Sequence, residues 1–175
     1  MVNLYARAIK GHRAYSKRPL KKGKNVSIIG AITLKSGFLT GLSSDGGTNG
    51  DTFLWFIKEM LVPQLWKGAV QSLSAQVAPQ KRRLRLCRCV MDNLPAHKVQ
   101  GVTEAIASVG AKVVYLSPYS PDFNPIEHLW SKLKSHLRSV EARTREVLHE
   151  AVRDGLQLIT LNDVRNWFVH CCYCT

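Results

Sequence analysis

Acidic side chains are scarce in this sequence of 175 residues, which has 12 Asp and Glu against 25 Lys and Arg and a formal net charge of +13. No acidic residue precedes Asp45, so the N-terminal part carries only positive side-chain charge. Such a surface attracts polyanions, because each neutralised backbone phosphate releases condensed counterions. The charge balance therefore favours a nucleic acid as the partner.

Long apolar runs and export signals are also lacking. The longest apolar stretch, residues 26–34 (VSIIGAITL), is shorter than the roughly 18 residues that a membrane-spanning helix needs. The N-terminus, MVNLYARAIKG, has no charged segment followed by an apolar one, so nothing in it marks the chain for secretion. These absences predict a cytoplasmic protein with no membrane partner.

The cysteines lack a regular spacing. Their number is odd, and they are bunched at two places: Cys87, Cys89, Cys171, Cys172 and Cys174. An odd, bunched set argues against a disulfide framework, and the two clusters do not both have the C-x2-C spacing of a structural zinc site, since Cys87 and Cys89 are only two residues apart. We favour reduced thiols over a zinc site formed by both clusters.

Residues 1–24 are predicted to form an irregular basic arm, because glycine and proline interrupt any period there. An arm of this kind can bind DNA through its phosphates without reading its sequence. The alternative is a basic tail that is only solvated, and the composition leaves both open. The candidate DNA-binding residues are Lys10, Arg13, Lys17, Arg18, Lys21, Lys22 and Lys24.

Strand and helix patterns alternate beyond the arm. The order β-β-α-β-α-β-α-α is typical of an α/β domain whose mixed sheet is flanked by helices. The predicted elements are a hairpin over 25–34 and 37–44, a helix over 52–66, a strand ending at Asp92, a helix over 95–110, a strand over 112–116, a helix from Asn124 and a helix over 144–158. We assign this domain to residues 25–160 and a C-terminal tail to residues 161–175.

Two carboxylates, Asp92 and Glu127, each follow a predicted strand. Ligand sites of α/β sheets lie beyond the carboxyl ends of the strands, so both acids could face one crevice. Mg²⁺ prefers a few carboxylate oxygens together with waters and substrate phosphates. Each acid also has a structural interpretation: Asp92 could cap the following helix, and Glu127 could complete a capping box with Asn124 ahead of Pro125.

The segments that carry these acids, MDNLPAHK and YLSPYSPDFNPIEHLWSKLKSHLR, resemble the catalytic core of DDE transposases from bacterial insertion sequences of the mariner-like superfamily. The 34 residues between Asp92 and Glu127 match the spacing typical of that group. GKNVSIIGAITLKSG, NGDTFLWFIKEML and NDVRNWFVHCCYCT are similar to it as well. Only residues 71–89 depart from the pattern, as an atypical insertion.

The resemblance implies a ribonuclease-H-like fold in which Asp92 and Glu127 are the second and third acids of a triad that binds two Mg²⁺ ions, with Mn²⁺ as a substitute. It implies hydrolysis at the ends of a DNA element followed by strand transfer into target DNA. Asn93, His97 and Asn124 are expected to hold the acids in position without binding the metal themselves. The expected partners are element ends and target DNA, a homodimer is possible, no small-molecule substrate is expected, and the expected location is the bacterial cytoplasm and its nucleoid.

One part of the family pattern has no counterpart in the sequence. The first aspartate of the triad, its central strand and the helix-turn-helix region are expected upstream of Met1, in a longer protein or in another reading frame. We therefore expect a truncated catalytic fragment that is inactive alone. The alternatives are a non-catalytic nucleic-acid-binding remnant and a structure-selective nuclease on the same fold.

Overall fold

A computed structural model describes residues 7–15, 25–65 and 87–173. The strands are β1 (Val26–Thr33), β2 (Gly37–Asp45), β3 (Arg88–Met91) and β4 (Lys112–Tyr115). The helices are α1 (Gly50–Trp55), α2 (Val102–Ala107), α3 (Ile126–Val140), α4 (Arg145–Gln157) and α5 (Leu161–His170). Helix α1 continues as a π-helical segment over Phe56–Leu61, and short 3₁₀ turns cover Pro95–Lys98 and Pro121–Phe123.

Strands β1 and β2 form the predicted hairpin. They pair antiparallel from Val26 opposite Asp45 to Thr33 opposite Gly37, with an irregularity in register after Ala31. Gly37 has a φ of 80°, a left-handed conformation that glycine adopts without steric cost and that the tight turn requires. The prediction from KSG between two β-branched runs is confirmed.

Strands β3 and β4 pair in parallel, with Arg88 opposite Lys112 and Met91 opposite Tyr115. Helix α2 makes the crossover between them, as a parallel pair requires. Within the described ranges the four strands form two two-stranded sheets, one antiparallel and one parallel, rather than one continuous layer. Both strand directions of the predicted mixed sheet are therefore present, but in separate pairs.

The helix predicted over 95–110 is divided into the 3₁₀ turn and α2. Gly101 interrupts it, because a φ of 96° lies far outside the helical range. The carboxylate of Glu104 then accepts a hydrogen bond of 2.9 Å from the Gly101 amide and fixes the new start. The predicted stop at Gly110 agrees with its φ of 74°.

The helices α3, α4 and α5 pack their apolar faces together. Leu133 and Leu137 of α3 contact Ala151 and Val152 of α4 in one buried cluster. A second cluster joins Leu129, Ile159 and Val164, and a third lies under the strands around Phe56, Ile57, Val102 and Ile106. No helix in the described ranges is both long and apolar enough to cross a membrane.

Helix α5 lies inside the segment 161–175 that was predicted as a tail. Its start is a capping box in which the Thr160 hydroxyl accepts from the Asp163 amide at 3.1 Å and the Asp163 carboxylate accepts from the Thr160 amide at 2.8 Å. Two orphan backbone donors are thereby satisfied. Sequence reasoning overlooked Thr160 and Asp163, whose spacing with an acid three residues after a threonine is the signal for a helix start.

Candidate functional site

A groove of about 1600 Å³ separates β1 from β3 and contains both candidate acids. Asp92 follows the last residue of β3, and Glu127 lies in the first turn of α3. Trp130 of α3 also faces the groove, and its ring comes so close to Gly30 of β1 that a Cβ there would lie 3.0 Å from it. Apolar side chains of the segment after β2 also line it: Phe53, Phe56, Ile57 and Leu61.

The walls of the groove are strand edges. Every residue of two segments lines the groove: residues 28–33 of β1 and residues 87–92 around β3. Successive side chains of a strand point to opposite faces, so a sheet face would contribute only alternate residues. In the part of the chain that the structure describes, β1 pairs only with β2 and β3 only with β4. The free edges of β1 and β3 thus both border the groove, and within the described residues no strand lies between them.

Asp92 is held by a histidine. Its Oδ1 lies 2.5 Å from Nδ1 of His97, and the side chains are 38% and 18% exposed. The His97 ring packs on Phe53 with centroids 4.1 Å apart, and the Tyr115 hydroxyl donates to the His97 carbonyl at 2.9 Å. Contacts from two other elements therefore fix the ring and the backbone of His97. Sequence reasoning missed Phe53 and Tyr115, whose patterns indicated only core positions.

The capping interpretation of Asp92 is wrong. The 3₁₀ turn after β3 has Leu94 at its N-cap with no side-chain hydrogen bond, and α2 starts later, after Gly101. Among the described residues, the backbone donates one hydrogen bond to the Asp92 carboxylate, from the Leu94 amide at 3.4 Å, and the shorter contact is that with His97. The carboxylate therefore lies against His97 in the groove and does not cap a helix.

The capping-box interpretation of Glu127 is wrong as well. Helix α3 begins at Ile126, its N-cap is Pro125, and no side chain caps it. The Glu127 amide donates to the Asn124 carbonyl at 3.0 Å, so this donor is already satisfied by the backbone. The start is shifted by one residue from the prediction, so Glu127 is not at the third helical position and its exposed side chain does not reach back. Within residues 7–15, 25–65 and 87–173 no hydrogen bond or ion pair engages its carboxylate.

The loop before Glu127 is anchored from two sides. Its first amide, of Leu116, donates to the Met91 carbonyl at 2.9 Å, directly before Asp92. At its other end the Tyr173 hydroxyl donates to the Phe123 carbonyl at 2.9 Å. Asn124 is buried, with 8% of its surface exposed. The loop thus connects the end of β3 to the start of α3, and residues after α5 help to hold it.

The arrangement fits a divalent ion whose ligands come partly from the protein and partly from the substrate. No group of three or more His, Cys, Asp or Glu side chains in the described ranges could hold a metal by itself. Mg²⁺ usually takes one or two carboxylates and completes its shell with waters and phosphate oxygens. The free carboxylate of Glu127 and the oriented carboxylate of Asp92 match that need. Oδ1 of Asn93 is buried and has no donor partner among the described residues, but Asn93 does not line the groove.

The four cysteines of the described part are free thiols. Cys89 donates a hydrogen bond to Cys87 and lowers the pKa of the Cys87 thiol to about 6, while the same contact raises the pKa of Cys89. Cys171 is buried and its pKa is raised by that burial. No zinc cluster is formed by the described cysteines and histidines.

The basic arm is described only in part. Lys10 and Arg13 are exposed. The other five candidate DNA-binding residues lie outside the described residues, and so do residues 71–86 of the atypical insertion: the five are Lys17, Arg18, Lys21, Lys22 and Lys24.

Comparison with known proteins identifies a family and relatives of the chain. Residues 1–149 match the family described as DDE superfamily endonuclease. The chain is similar to the transposase of the transposable element Tcb2 from Caenorhabditis briggsae, with 31% identity over 71 residues, which are 41% of this chain and 26% of that protein.

The structure is similar to the crystal structure of the Mos1 mariner paired end complex with Mn, with a TM-score of 0.68 and 15% identity. The likeness covers 96% of this chain and 49% of that chain, so the protein spans about half the length of that structure. It confirms the predicted α/β, ribonuclease-H-like fold class. Because the family match extends over residues 1–149 of 175, the chain belongs to the DDE superfamily endonucleases.

Proposed function

We propose that this chain is catalytic-domain sequence of a DNA transposase, a protein that cleaves DNA with the help of a divalent metal and joins the cut end to a target. The observation that carries the proposal is the meeting of Asp92 and Glu127 in one groove of a DDE endonuclease. Neither acid serves the helix cap that would otherwise explain it. Its origin in a bacterial insertion sequence, its cytoplasmic location and a homodimer stay predictions.

DNA is the proposed partner. The net charge of +13 favours a polyanion, and the structural relative is a paired end complex of a mariner element. The other relative is a transposase. Charge alone would equally suit RNA, so the choice of DNA depends on the family.

The two acids have different proposed roles in holding Mg²⁺ or Mn²⁺, which would stabilise charge on the reacting phosphate. His97 holds the Asp92 carboxylate in one orientation, so this acid is a fixed ligand. Glu127 is untethered within the described residues, so its carboxylate can adjust to the position of the substrate phosphate. Phe53 restricts the His97 ring and keeps water from one of its faces.

We propose that the first acid of the triad is supplied from outside these 175 residues, on a strand of its own, and that this chain alone is inactive; the residues outside the described ranges contain no Asp or Glu. A strand placed between β1 and β3 would pair with both edges and satisfy backbone groups that are costly to leave unpaired. The two early acids of this chain are poor substitutes, because neither Asp45 nor Asp51 lines the groove and Asp45 is paired with Arg145 at 2.9 Å.

The test measures Mn²⁺ affinity and plasmid nicking with the purified chain, its Asp92→Asn and Glu127→Gln variants, and Glu150→Gln as a control. Glu150 is exposed on α4 and lies outside the groove. We expect each site variant to weaken Mn²⁺ binding by about tenfold or more, as loss of a ligand should, and the control to leave it unchanged. We expect DNA binding by all four proteins and nicking by none.

Other results would favour the alternatives. Unchanged Mn²⁺ affinity in both site variants, with salt-sensitive DNA binding, would indicate a non-catalytic nucleic-acid-binding remnant. Metal-dependent nicking that Glu127→Gln abolishes would show that the acids of this chain suffice. Nicking without joining of a 3′-hydroxyl end to a second DNA would indicate a nuclease.

A further inference from the structure

Helix α3 presents a narrow charged stripe that starts at the candidate site. Glu127, Ser131, Lys134 and Arg138 follow one another at spacings of four, three and four residues. These spacings place all four on the same face of a helix. All four are exposed, whereas Leu129, Leu133 and Leu137 on the other side of the helix are buried. One face of α3 therefore holds the helix in the core, and the opposite face leads away from Glu127.

The two cations of this stripe have no anionic partner within the described ranges. Lys132, on a different face of α3, is occupied, because its Nζ donates to Asp163 at 2.6 Å and to the Leu158 carbonyl at 3.1 Å. No ion pair of Lys134 or Arg138 occurs within the described ranges. Like charges four residues apart on a helix repel each other by about 0.2–0.5 kcal/mol. An anion bound near both cations would offset this repulsion, because it attracts each of them.

The spacing of the stripe suits a polymer of phosphates. With a rise of 1.5 Å per residue, the backbone of Lys134 lies about 10.5 Å and that of Arg138 about 16.5 Å from Glu127 along the axis. One DNA strand carries one charge per about 3.4 Å of duplex axis, so these distances correspond to about three and five base steps. A single small anion at Glu127 could not reach both cations, whereas a DNA strand could.

We propose that Lys134 and Arg138 hold backbone phosphates of the DNA strand whose scissile bond lies at Glu127. They are positioning residues: they set the register of the strand against the carboxylates and take no part in bond breaking. This inference depends on the proposed DNA partner, and it adds a binding track that the basic arm does not include.

The test compares two double variants that remove the same charge. One is Lys134→Gln with Arg138→Gln, and the control is Arg153→Gln with Arg165→Gln, on α4 and α5. Both control arginines are exposed, as Lys134 and Arg138 are, but they lie on other helices and not on the stripe that starts at Glu127. Binding of a 30-base-pair duplex is followed by fluorescence anisotropy between low and moderate salt. Thermal unfolding by circular dichroism checks that both double variants remain folded.

We expect the stripe variant to lower the slope of log K against log salt by about 1.8, since each lost phosphate contact removes about 0.9. The control should leave the slope almost unchanged, and Lys134→Arg with Arg138→Lys should restore it. Equal slopes in the two double variants would overturn the inference. A lower slope together with unchanged Mn²⁺ affinity in Glu127→Gln would sustain the track and reject the catalytic proposal. If the unmodified chain binds no DNA, both fail.

Discussion

Helices α3 and α5 and strands β1 and β3 border the same groove, and α4 packs behind α3, but the polar groups of the helices and of the strands are satisfied to different degrees. Thr144 and Thr160 cap α4 and α5, and Lys132 of α3 bonds both the end of α4 and Asp163 at the start of α5. The strands have only one partner each within the described residues, and their other edges line the groove.

The difference separates the helices, which support the site, from the strands, whose second edges are open to further pairing within the described residues. The helices are joined to one another through Lys132 and the two caps, so they can hold the backbone of Glu127 and of the stripe of α3 in place, while the Glu127 carboxylate itself stays untethered within the described residues. The strand side is open, so the position of Asp92 depends on a short parallel pair and on His97. Substitutions in the helical layer should therefore lower stability, whereas substitutions along the groove edges should change it little.

The largest expected effect is that of Leu133→Ala in the helical layer. Leu133 is 2% exposed between α3 and α4, so its truncation leaves a cavity and should lower the free energy of unfolding by about 3 kcal/mol. Val90→Ala on the open edge of β3 should lose about 1 kcal/mol, because Val90 is only half-buried. Urea unfolding followed by circular dichroism measures both. Equal losses would show that the groove edge is as well packed as the helices.

A smaller effect is expected at Gly155, where α4 packs against α3. A Cβ on Gly155 would lie 2.5 Å from Cδ1 of Leu133 and 2.9 Å from Cδ2 of His136. We expect Gly155→Ala to destabilise the chain by about 1–2 kcal/mol, because overpacking outweighs the gain in helix propensity. Gly47→Ala, where nothing lies within 4 Å, is the control for the same chemical change. A stabilised Gly155→Ala would mean that the two helices separate easily.

The smallest expected effect concerns Asp163, whose pKa is lowered to about 2, mainly by the hydrogen bond from Lys132 and then by that from the Thr160 amide. We expect Asp163→Asn to cost about 1 kcal/mol at neutral pH, the usual value of a helix cap. Because the folded-state pKa lies below that of an unfolded aspartate, this contribution is present above about pH 4 and is lost as the pH falls toward 2. Thermal unfolding at pH 7 and pH 2.5 should show a difference between variant and parent that shrinks at the lower pH. A constant difference would remove the ion pair from the explanation.

Local signals predicted the elements of the closed region and of the hairpin well. Thr144 and the periodic residues after it placed α4 within a residue of its observed ends, and Gly37 identified the turn of the hairpin. Such features depend on neighbours in the sequence, which sequence reasoning can inspect directly. Helix α5 was not predicted, although its capping residues Thr160 and Asp163 are a local signal of the same kind.

The site was predicted at the level of its acids and missed at the level of their partners. The pattern placed Asp92 at a strand end and Glu127 at a helix start, and both lie there. The contacts of His97 with Phe53 and Tyr115 join three separate elements, so no spacing in the sequence encodes them. The open edges of β1 and β3 could not be predicted from the sequence either, since strand pairing is non-local and depends on which segments are present.

The crossover that joins β3 to β4 also determines when the site forms during folding. The hairpin of β1 and β2 closes through a short turn, an event of about 1–10 μs. The parallel pair cannot form until α2 has folded back over it, and such non-local contacts form slowly because loop-closure entropy is lost before they are gained. Asp92 reaches its place only when that pair has formed, so we expect the two carboxylates to come together later than the hairpin closes.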